Sequence, residues 1–444
     1  MSSVSKEIRI RLRSHVACPH CWEKFAPEDT LWVAAHPELT NDPRLGREQQ
    51  QRFLPTRFNA DGNALDIRGL ACQELACPRC HLAIPRALLE LPPVFASIAG
   101  TPSCGKSYFL AAMTWMLRQT LPRDFRLSYT DADPLSNAML NKYEEDQFLN
   151  PNPDEIIKLR KTEEQGDLYD IVRYGEQLVT YPRPFLFTIR PTQQHPSAAD
   201  TGRVARLLCL YDNAGESFEP GKDTISNPVT RHLAQSHAIL FCFDPTQDPR
   251  FRRAFHEKTG DYQIDEPRVT ARQEIVLHEI VDRVRRHTGL KQSERHRRPL
   301  IVVVTKYDAW WPLIGEQRLP DPWRTTGNSS LCCFDTNLLE AASNATRDLL
   351  AKVTPELVAA AQEFSQKTWF IPVSATGASP EPHPTIKDPK DPNKPLMGVR
   401  PRNMNPMWCE VPLLAALSSV TSGLVPLCRR PGQAAAMPEA PADE

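Results

Sequence analysis

Long apolar runs are missing from this chain. No stretch of about 18 apolar residues occurs in its 444 residues, so no membrane-spanning helix is expected. The opening residues, Met1 to Ile10, hold no apolar core of the kind a secretory signal needs, which points to the cytoplasm. A charge excess is missing too: 53 Lys and Arg face 54 Asp and Glu. Nothing global therefore favours nucleic acid or an anionic membrane as partner. Glycine is scarce, 18 residues against 42 prolines, and proline is at about twice its average usage. Much of the proline falls near 182–196 and 379–406, which read as long irregular excursions. No internal repeat is evident. What remains, 41% hydrophobic and 24% charged, fits a folded globular chain of two or three units, one of them large. Its 12 cysteines, in a cytoplasmic chain, are expected as thiols and metal ligands rather than disulfides.

One octapeptide carries the most information. Gly100-Thr101-Pro102-Ser103-Cys104-Gly105-Lys106-Ser107 spells GxxxxGK[ST]. Such a loop wraps a nucleotide's β-phosphate, so backbone N–H groups must converge and Cβ atoms must stay clear. Lys106 can reach the β/γ oxygens, and Ser107 can hold Mg²⁺. Before it, Val94-Phe95-Ala96-Ser97-Ile98-Ala99 suits a buried parallel strand. After it, Phe109, Leu110, Met113, Met116 and Leu117 keep a helical spacing. Strand, loop and helix aim a helix N-terminus at the phosphate.

Three later segments narrow the nucleotide. The apolar run 204–211 ends in Asp212-Asn213-Ala214-Gly215-Glu216. An acid at the tip of a strand beside the loop can hold the Mg²⁺ water shell. Gly215 offers an N–H to the γ-phosphate. The run Leu300 to Val304 ends in Thr305-Lys306-Tyr307-Asp308. An Asp there can accept from the N1–H and 2-amino groups of guanine, a pair of donors adenine lacks, while Lys306 lies along the base. A third strand, from Trp369, ends in Ser374-Ala375-Thr376-Gly377, whose backbone could cap the base O6.

The amino-terminal 92 residues carry a different chemistry. Cys18-Pro-His-Cys21 and Cys77-Pro-Arg-Cys80 are matched CxxC pairs. Each turn points two thiolates at one place, and two turns facing each other make a closed tetrahedral site that suits structural Zn²⁺. The 55 intervening residues exceed the roughly 15–20 of a zinc ribbon. The insert, about 23–76, reads as a loop hung from the ribbon. Cys72, His15, His20 and His81 are nearby alternatives as ligands, and redox chemistry is the competing use of CxxC. The segment's mixed charge favours a protein partner, or packing on the neighbouring domain, over nucleic acid.

Together the nucleotide motifs resemble the Ras-like, translation-factor-related (TRAFAC) class of P-loop GTPases, over about 93–419. The resemblance implies a three-layer α/β P-loop fold with a mainly parallel sheet, preceded by a small zinc-ribbon-like module. It makes 100–107 the phosphate loop, 212–215 the start of switch II, 305–308 the base-specificity motif and 374–376 the base-capping loop. It implies GTP or GDP with Mg²⁺, and a switch that hydrolyses GTP slowly, with Lys106 and Glu216 in the chemistry. Three positions depart from the family. Thr305 replaces the usual Asn, which loosens the expected tie to the phosphate loop. Thr376 stands where Lys is common, and Glu216 where many members place Gln. The family sets switch I just before the strand 185–190, which favours Thr180 over Thr162 or Thr192 as the residue closing on Mg²⁺. The ribbon and the long pre-switch insertion look like the bacterial double-GTPase families. Those imply a conflict or defence role with a second GTPase or effector as partner.

The remaining stretches complete the map. Residues 185–190 pair with 204–211 as an antiparallel hairpin. Segment 137–170 is charged and helical in pattern, within an insertion of about 131–182. Residues 239–244 form a core strand and 269–288 a helix whose end, 283–298, is a solvated Arg/His cluster. Helices follow at 338–364, interrupted at Pro355, and at 408–417. The GTPase-like domain thus runs 93–425 with a second insertion at 378–406, and 426–444 is a disordered tail. A nucleotide-binding scaffold without useful hydrolysis is the competing function, and an ATPase a third.

Overall fold

The computed structural model describes residues 12–158, 169–213, 231–265, 272–315, 318–326, 331–388 and 391–428. A seven-stranded sheet forms its centre. Its elements are β1 (Pro93–Gly100), α1 (Lys106–Asp124), β2 (Leu127–Asp131), α2 (Ala138–Phe148), β3 (Tyr169–Tyr174), β4 (Gln177–Pro182), β5 (Phe185–Pro191), β6 (Arg206–Asp212) and β7 (Ala238–Phe243). Then come α3 (Gln273–Thr288), β8 (Leu300–Val304), α4 (Thr336–Val353), α5 (Pro355–Phe364), β9 (Thr368–Pro372), β10 (Glu381–Asp388), β11 (Asp391–Gly398) and α6 (Val411–Val420). The sheet order is β2-β5-β6-β1-β7-β8-β9. From β6 to β9 neighbours are parallel; β2–β5 and β5–β6 are antiparallel. The expected hairpin of β5 with β6 is present, with Phe185 opposite Leu210.

Strand alternation sorts side chains to two faces. Val94, Ala96 and Ile98 pack with Phe109, Leu110, Met113 and Leu117 of α1 and with Leu413, Leu414 and Leu417 of α6. Ala99, Phe241 and Val302 point the other way, against Leu277, Ile280 and Val284 of α3 and Leu357 and Phe364 of α5. That gives helix, sheet, helix. The break before Pro355 falls where α4 gives way to α5. Fully buried Phe109 shows the scale: truncating such a ring to Ala costs about 3–5 kcal/mol.

The rest of the second face is covered by the amino-terminal module. Val16, Trp22, Leu75, Ile84 and Leu88 share one cluster with Phe95, Leu186, Leu207, Cys209 and Tyr211 of the sheet. The 23–76 insert is not a loop. Leu31–Val33 pairs with both Arg52–Phe53 and Leu75–Ala76, and Ala83–Ile84 completes a four-stranded sheet. Buried Asp42 and Asp66 fix its turns: Asp42 accepts from the N–H groups of Arg44, Leu45 and Arg52, Asp66 from those of His36, Arg68 and Leu70.

Other expectations change in detail. Among the described residues of 137–170 the helical pattern yields α2, with Pro151 and Pro153 following it, and β3 begins at Tyr169. The 379–406 excursion is largely the hairpin β10–β11. Arg283 is buried, donating to Glu279 at 2.6 Å, and Arg298 donates to the carbonyls of Ala234 and Ser236. Both ends of the expected 283–298 cluster are held by the fold, while Arg286, His287, Arg295 and Arg297 between them are exposed. Cys333 and Cys428 form a disulfide, and Phe334 pairs with 426–428, so that part of the tail is ordered. Residues 429–444 lie outside the described residues. No helix among the described residues is long and apolar enough to cross a membrane.

Candidate functional site: a phosphate loop, a base-reading edge and a cysteine centre

Sheet register assembles the site. Gly100 lies opposite Cys242, Asp212 opposite Ile98, Phe243 opposite Val304, and Val304 opposite Pro372. The loops leaving these carboxyl ends therefore sit side by side, where parallel α/β sheets bind ligands.

The phosphate loop joins β1 to α1. Gly100 is required by space: at φ +152° its Cβ would stand 2.5 Å from the Cys242 carbonyl oxygen. Gly105 is required by conformation, at φ +92° in the position that caps α1. Lys106, only 7% exposed, donates from Nζ to the carbonyls of Gly100 at 3.0 Å and Thr101 at 2.9 Å. Burial pushes the Cys104 thiol up, but hydrogen bonding with Cys242 and the Lys106 charge outweigh it and bring it down to about 7. Pro102, Ser103 (φ +62°) and Ser107 complete the loop and its exit.

Residues absent from any motif brace this loop. The Thr101 hydroxyl donates to Gln247 at 3.3 Å and to Gln273 at 3.4 Å, and Gln247 Nε2 donates to the Pro102 carbonyl. Gln273 also exchanges two hydrogen bonds with the Asp244 backbone. The only sequence signal was a polar cluster, Asp244-Pro-Thr-Gln-Asp248, at the end of an apolar strand.

Thr305 does not loosen the frame. Its hydroxyl donates to the Cys104 carbonyl at 2.9 Å, so the base-side loop is tied to the phosphate loop. Threonine manages this because its short side chain starts directly at the end of β8. Lys306, in the left-handed region at φ +57°, pairs with Asp244 and donates to Thr246 at 3.0 Å. Asp308 Oδ1 accepts from the Ser374 hydroxyl, which itself accepts from the Gly377 N–H at 2.8 Å. Burial raises the Asp308 carboxyl above its ordinary range, opposed by the Ser374 bond. Gln263 donates to Asp308 Oδ2 at 3.5 Å and to Ser379 at 2.7 Å, a contact the sequence did not suggest. Ala375 and Thr376 follow Ser374 at the rim, with the Thr376 hydroxyl on the Ala378 carbonyl.

Asp212 is buried at the end of β6. Next to it, Asn213 donates to the Ile98 carbonyl at 3.1 Å and closes β6 onto β1. Gly215 and Glu216 lie outside the described residues, as does Thr162. Thr180 lies on β4, opposite Ile171 of β3, in a separate two-stranded ribbon. Its neighbours Val179 and Tyr181 pack into the amino-terminal module. Thr192 is occupied by the Arg126 carbonyl at 2.8 Å.

The four expected cysteines converge. Cys18, Cys21, Cys77 and Cys80 are buried, and their sulfurs lie within 4.8 Å of one another, the only such group among the described residues. Cys18 to Cys80 is 3.8 Å and Cys21 to Cys77 is 3.7 Å. A tetrahedron with Zn–S of about 2.3 Å has S···S edges of about 3.8 Å, so the set fits Zn²⁺. The two turns have matching backbones. The N–H groups of His20 and Arg79 donate to the sulfurs of Cys18 and Cys77, and the left-handed residues Trp22 and His81 occupy equivalent places. Burial pushes the Cys18 and Cys80 thiols up, while thiol hydrogen bonds hold Cys77 down. A cation relieves that conflict by stabilising all four thiolates. The alternatives are occupied elsewhere: His20 contacts the Ala83 carbonyl, His81 pairs with Asp42, and the Cys72 thiol faces the Leu70 carbonyl. His15 is outside the group.

No protein-family model matches the chain, and no curated protein sequence matches it. Among solved structures, the chain is similar to sup35 complexed with GDP, with 11% identity over 64% of this chain and 38% of that one, at a TM-score of 0.23. A variant of Aquifex aeolicus Era bound to GDP and AlF4⁻ shares 14% identity over 64% and 52%, at 0.22. The S. cerevisiae Ski7 GTPase-like domain, bound to GTP, shares 11% over 64% and 43%, at 0.24. The chain thus spans about half or less of the length of each. At TM-scores this low the likeness carries no argument about this chain's activity, and it places the chain in no named family.

Proposed function

We propose that the protein is a Mg²⁺-dependent guanine-nucleotide switch that hydrolyses GTP slowly. One observation carries the reading: the Thr305 hydroxyl on the Cys104 carbonyl joins the loop that would cradle phosphate to the loop that would read guanine. In this reading Lys106 and the N–H groups of 100–107 neutralise the β/γ oxygens. Ser107 and Asp212 would hold Mg²⁺, which when bound would neutralise charge on the β- and γ-phosphates. Asp308 accepts from guanine, Lys306 lies along the base, and Ala375 and Thr376 cap it. Gly215 senses the γ-phosphate, Glu216 orients water and Thr180 closes from switch I. Cys18, Cys21, Cys77 and Cys80 hold a structural Zn²⁺. The role we assign is regulation of a protein partner, a second GTPase or effector of a bacterial defence system.

Calorimetry with Mg–GDP and Mg–ADP tests the base assignment. GDP should bind at least tenfold tighter, and Asp308→Ala should remove the preference; equal affinities would defeat it. Single-turnover assays should show phosphate release that Lys106→Ala abolishes. One observation favours a second reading. The β3–β4 ribbon carrying Thr180 is fastened to the module, with the Arg173 N–H on the Arg44 carbonyl at 2.8 Å. A fastened switch I suits a nucleotide-binding scaffold without useful hydrolysis. GDP and GTP binding with no Lys106-dependent phosphate release, alone or with a partner, would select that reading.

A further inference from the structure

The cysteine centre and the nucleotide site share a wall. Tyr211 is the residue before Asp212, and its side chain is fully buried. Its hydroxyl donates to the Pro19 carbonyl at 2.6 Å and accepts from the Trp22 indole N–H at 3.1 Å. Pro19 lies between Cys18 and Cys21, and Trp22 follows Cys21 directly. The strand end that presents Asp212 is therefore hydrogen-bonded to the turn that presents two thiolates.

Trp22 extends the connection. Its ring lies 6.2 Å from Tyr211, 5.9 Å edge-on from Tyr181 and 6.1 Å from His232. Tyr181 follows Thr180 on β4. His232 sits on the short helix Arg231–Gln235, next in sequence after 214–230, the segment that holds Gly215 and Glu216. One indole thus contacts the residues next to Asp212 and Thr180 and the helix that follows 214–230 in sequence. Its own placement depends on the turn. Trp22 is in the left-handed region at φ +57°, with its N–H on the Cys18 carbonyl at 3.0 Å. A β-carbon residue takes that conformation only where its surroundings impose it, and the cysteine turn imposes it here.

We propose that Trp22 and Tyr211 are positioning residues that hold Asp212 through the cysteine turn, so that metal occupancy of Cys18, Cys21, Cys77 and Cys80 and nucleotide occupancy are thermodynamically linked. The inference rests on the nucleotide-binding reading above. Linkage is reciprocal: whatever factor the metal adds to Mg–nucleotide affinity, Mg–nucleotide adds to metal affinity. Couplings of this kind run from about 5- to 150-fold. Tyr211→Phe keeps the ring and its packing but removes the hydroxyl, so it breaks the link and leaves both sites filled.

The test uses the full chain loaded with zinc. Zinc affinity is read by equilibrium competition with a chromogenic chelator, with and without Mg–GDP. In the wild type Mg–GDP should tighten zinc binding at least fivefold, and in Tyr211→Phe the tightening should vanish. The second measurement compares GDP affinity with and without Mg²⁺ at full zinc content. Because Tyr211 acts through Asp212, Tyr211→Phe should weaken Mg–GDP by about fivefold or more and leave Mg²⁺-free GDP unchanged. A merely structural hydroxyl would weaken both alike. Identical zinc affinity with and without nucleotide in a wild type that binds Mg–GDP would overturn the linkage alone. A wild type that binds no guanine nucleotide would overturn the function as well. If Tyr211→Phe does not fold, the wild-type competition experiment still decides.

Discussion

The Thr305 hydroxyl lies between two carbonyls, Cys104 at 2.9 Å and Phe243 at 3.2 Å. Replacing it with Val keeps the shape and strips the donor from the buried Cys104 carbonyl. Leaving such a group unsatisfied costs about 1–3 kcal/mol. We expect Thr305→Val to weaken GDP binding by about tenfold, measured by calorimetry, and Thr305→Asn, which restores a donor, to recover part of it. Glu410 offers a second test at this scale. It is buried at the start of α6, and burial raises its carboxyl to about 8 from an ordinary 4.5, with Asp321 and Asp124 adding to the shift and Arg123 opposing it. Between these values the folded chain keeps a proton that the unfolded chain has lost. Stability must then fall as pH rises through that window, by about 1.4 kcal/mol per unit. Urea unfolding at pH 5, 6.5 and 8 should show Glu410→Gln with a flatter profile, ahead of the wild type by about 2–4 kcal/mol at pH 8. Legibility at this scale followed chemistry. The residues of 100–107, Asp308, Ser374 and the four cysteines were visible because ligand geometry dictates their spelling. Gln247, Gln273 and Gln263 were not, because a glutamine that braces a loop is spelled like one that faces water.

Elements were legible where one periodicity ran long enough. The strands β1, β6, β7 and β8 announce themselves with at least five apolar positions each, and α1 with more. The strands of the amino-terminal insert are two to five residues long, too short for alternation to register. The β10–β11 hairpin hid for another reason. Pro382, Pro384 and Pro395 read as loop, yet each strand has a single neighbour, so a missing N–H breaks no second ladder. No described residue of this hairpin joins the hydrophobic clusters. Replacing 382–397 with a short Gly-Ser linker, while keeping Gly398, should therefore leave Tm within about 3 °C and GDP affinity unchanged. Gly398 must stay because a Cβ there would stand 2.4 Å from the Ile157 carbonyl oxygen. A larger loss would mean that the hairpin supports the site.

The whole molecule was the least legible. Strand alternation shows that a sheet has two apolar faces; it does not say what covers them. Here one face is shared between helices and the cysteine module, through residues as distant as Val16 and Tyr211. Metal removal should consequently be felt beyond the module. Structural zinc supplies on the order of 10 kcal/mol in small domains. Zinc-depleted protein should melt at least ~10 °C lower, with the core sheet and the module unfolding together. Separate transitions would show that the two are independent.

That shared face also sets an order of events during synthesis. The cysteine turns are complete once Cys80 leaves the ribosome, but their cover is completed only with Tyr211, about 130 residues later. At ~5–20 residues per second the nascent chain spends about 6–26 seconds with reactive thiols and an apolar module face not yet fully covered. Early capture of the metal shortens one of these exposures. Only the arrival of β6 ends the other.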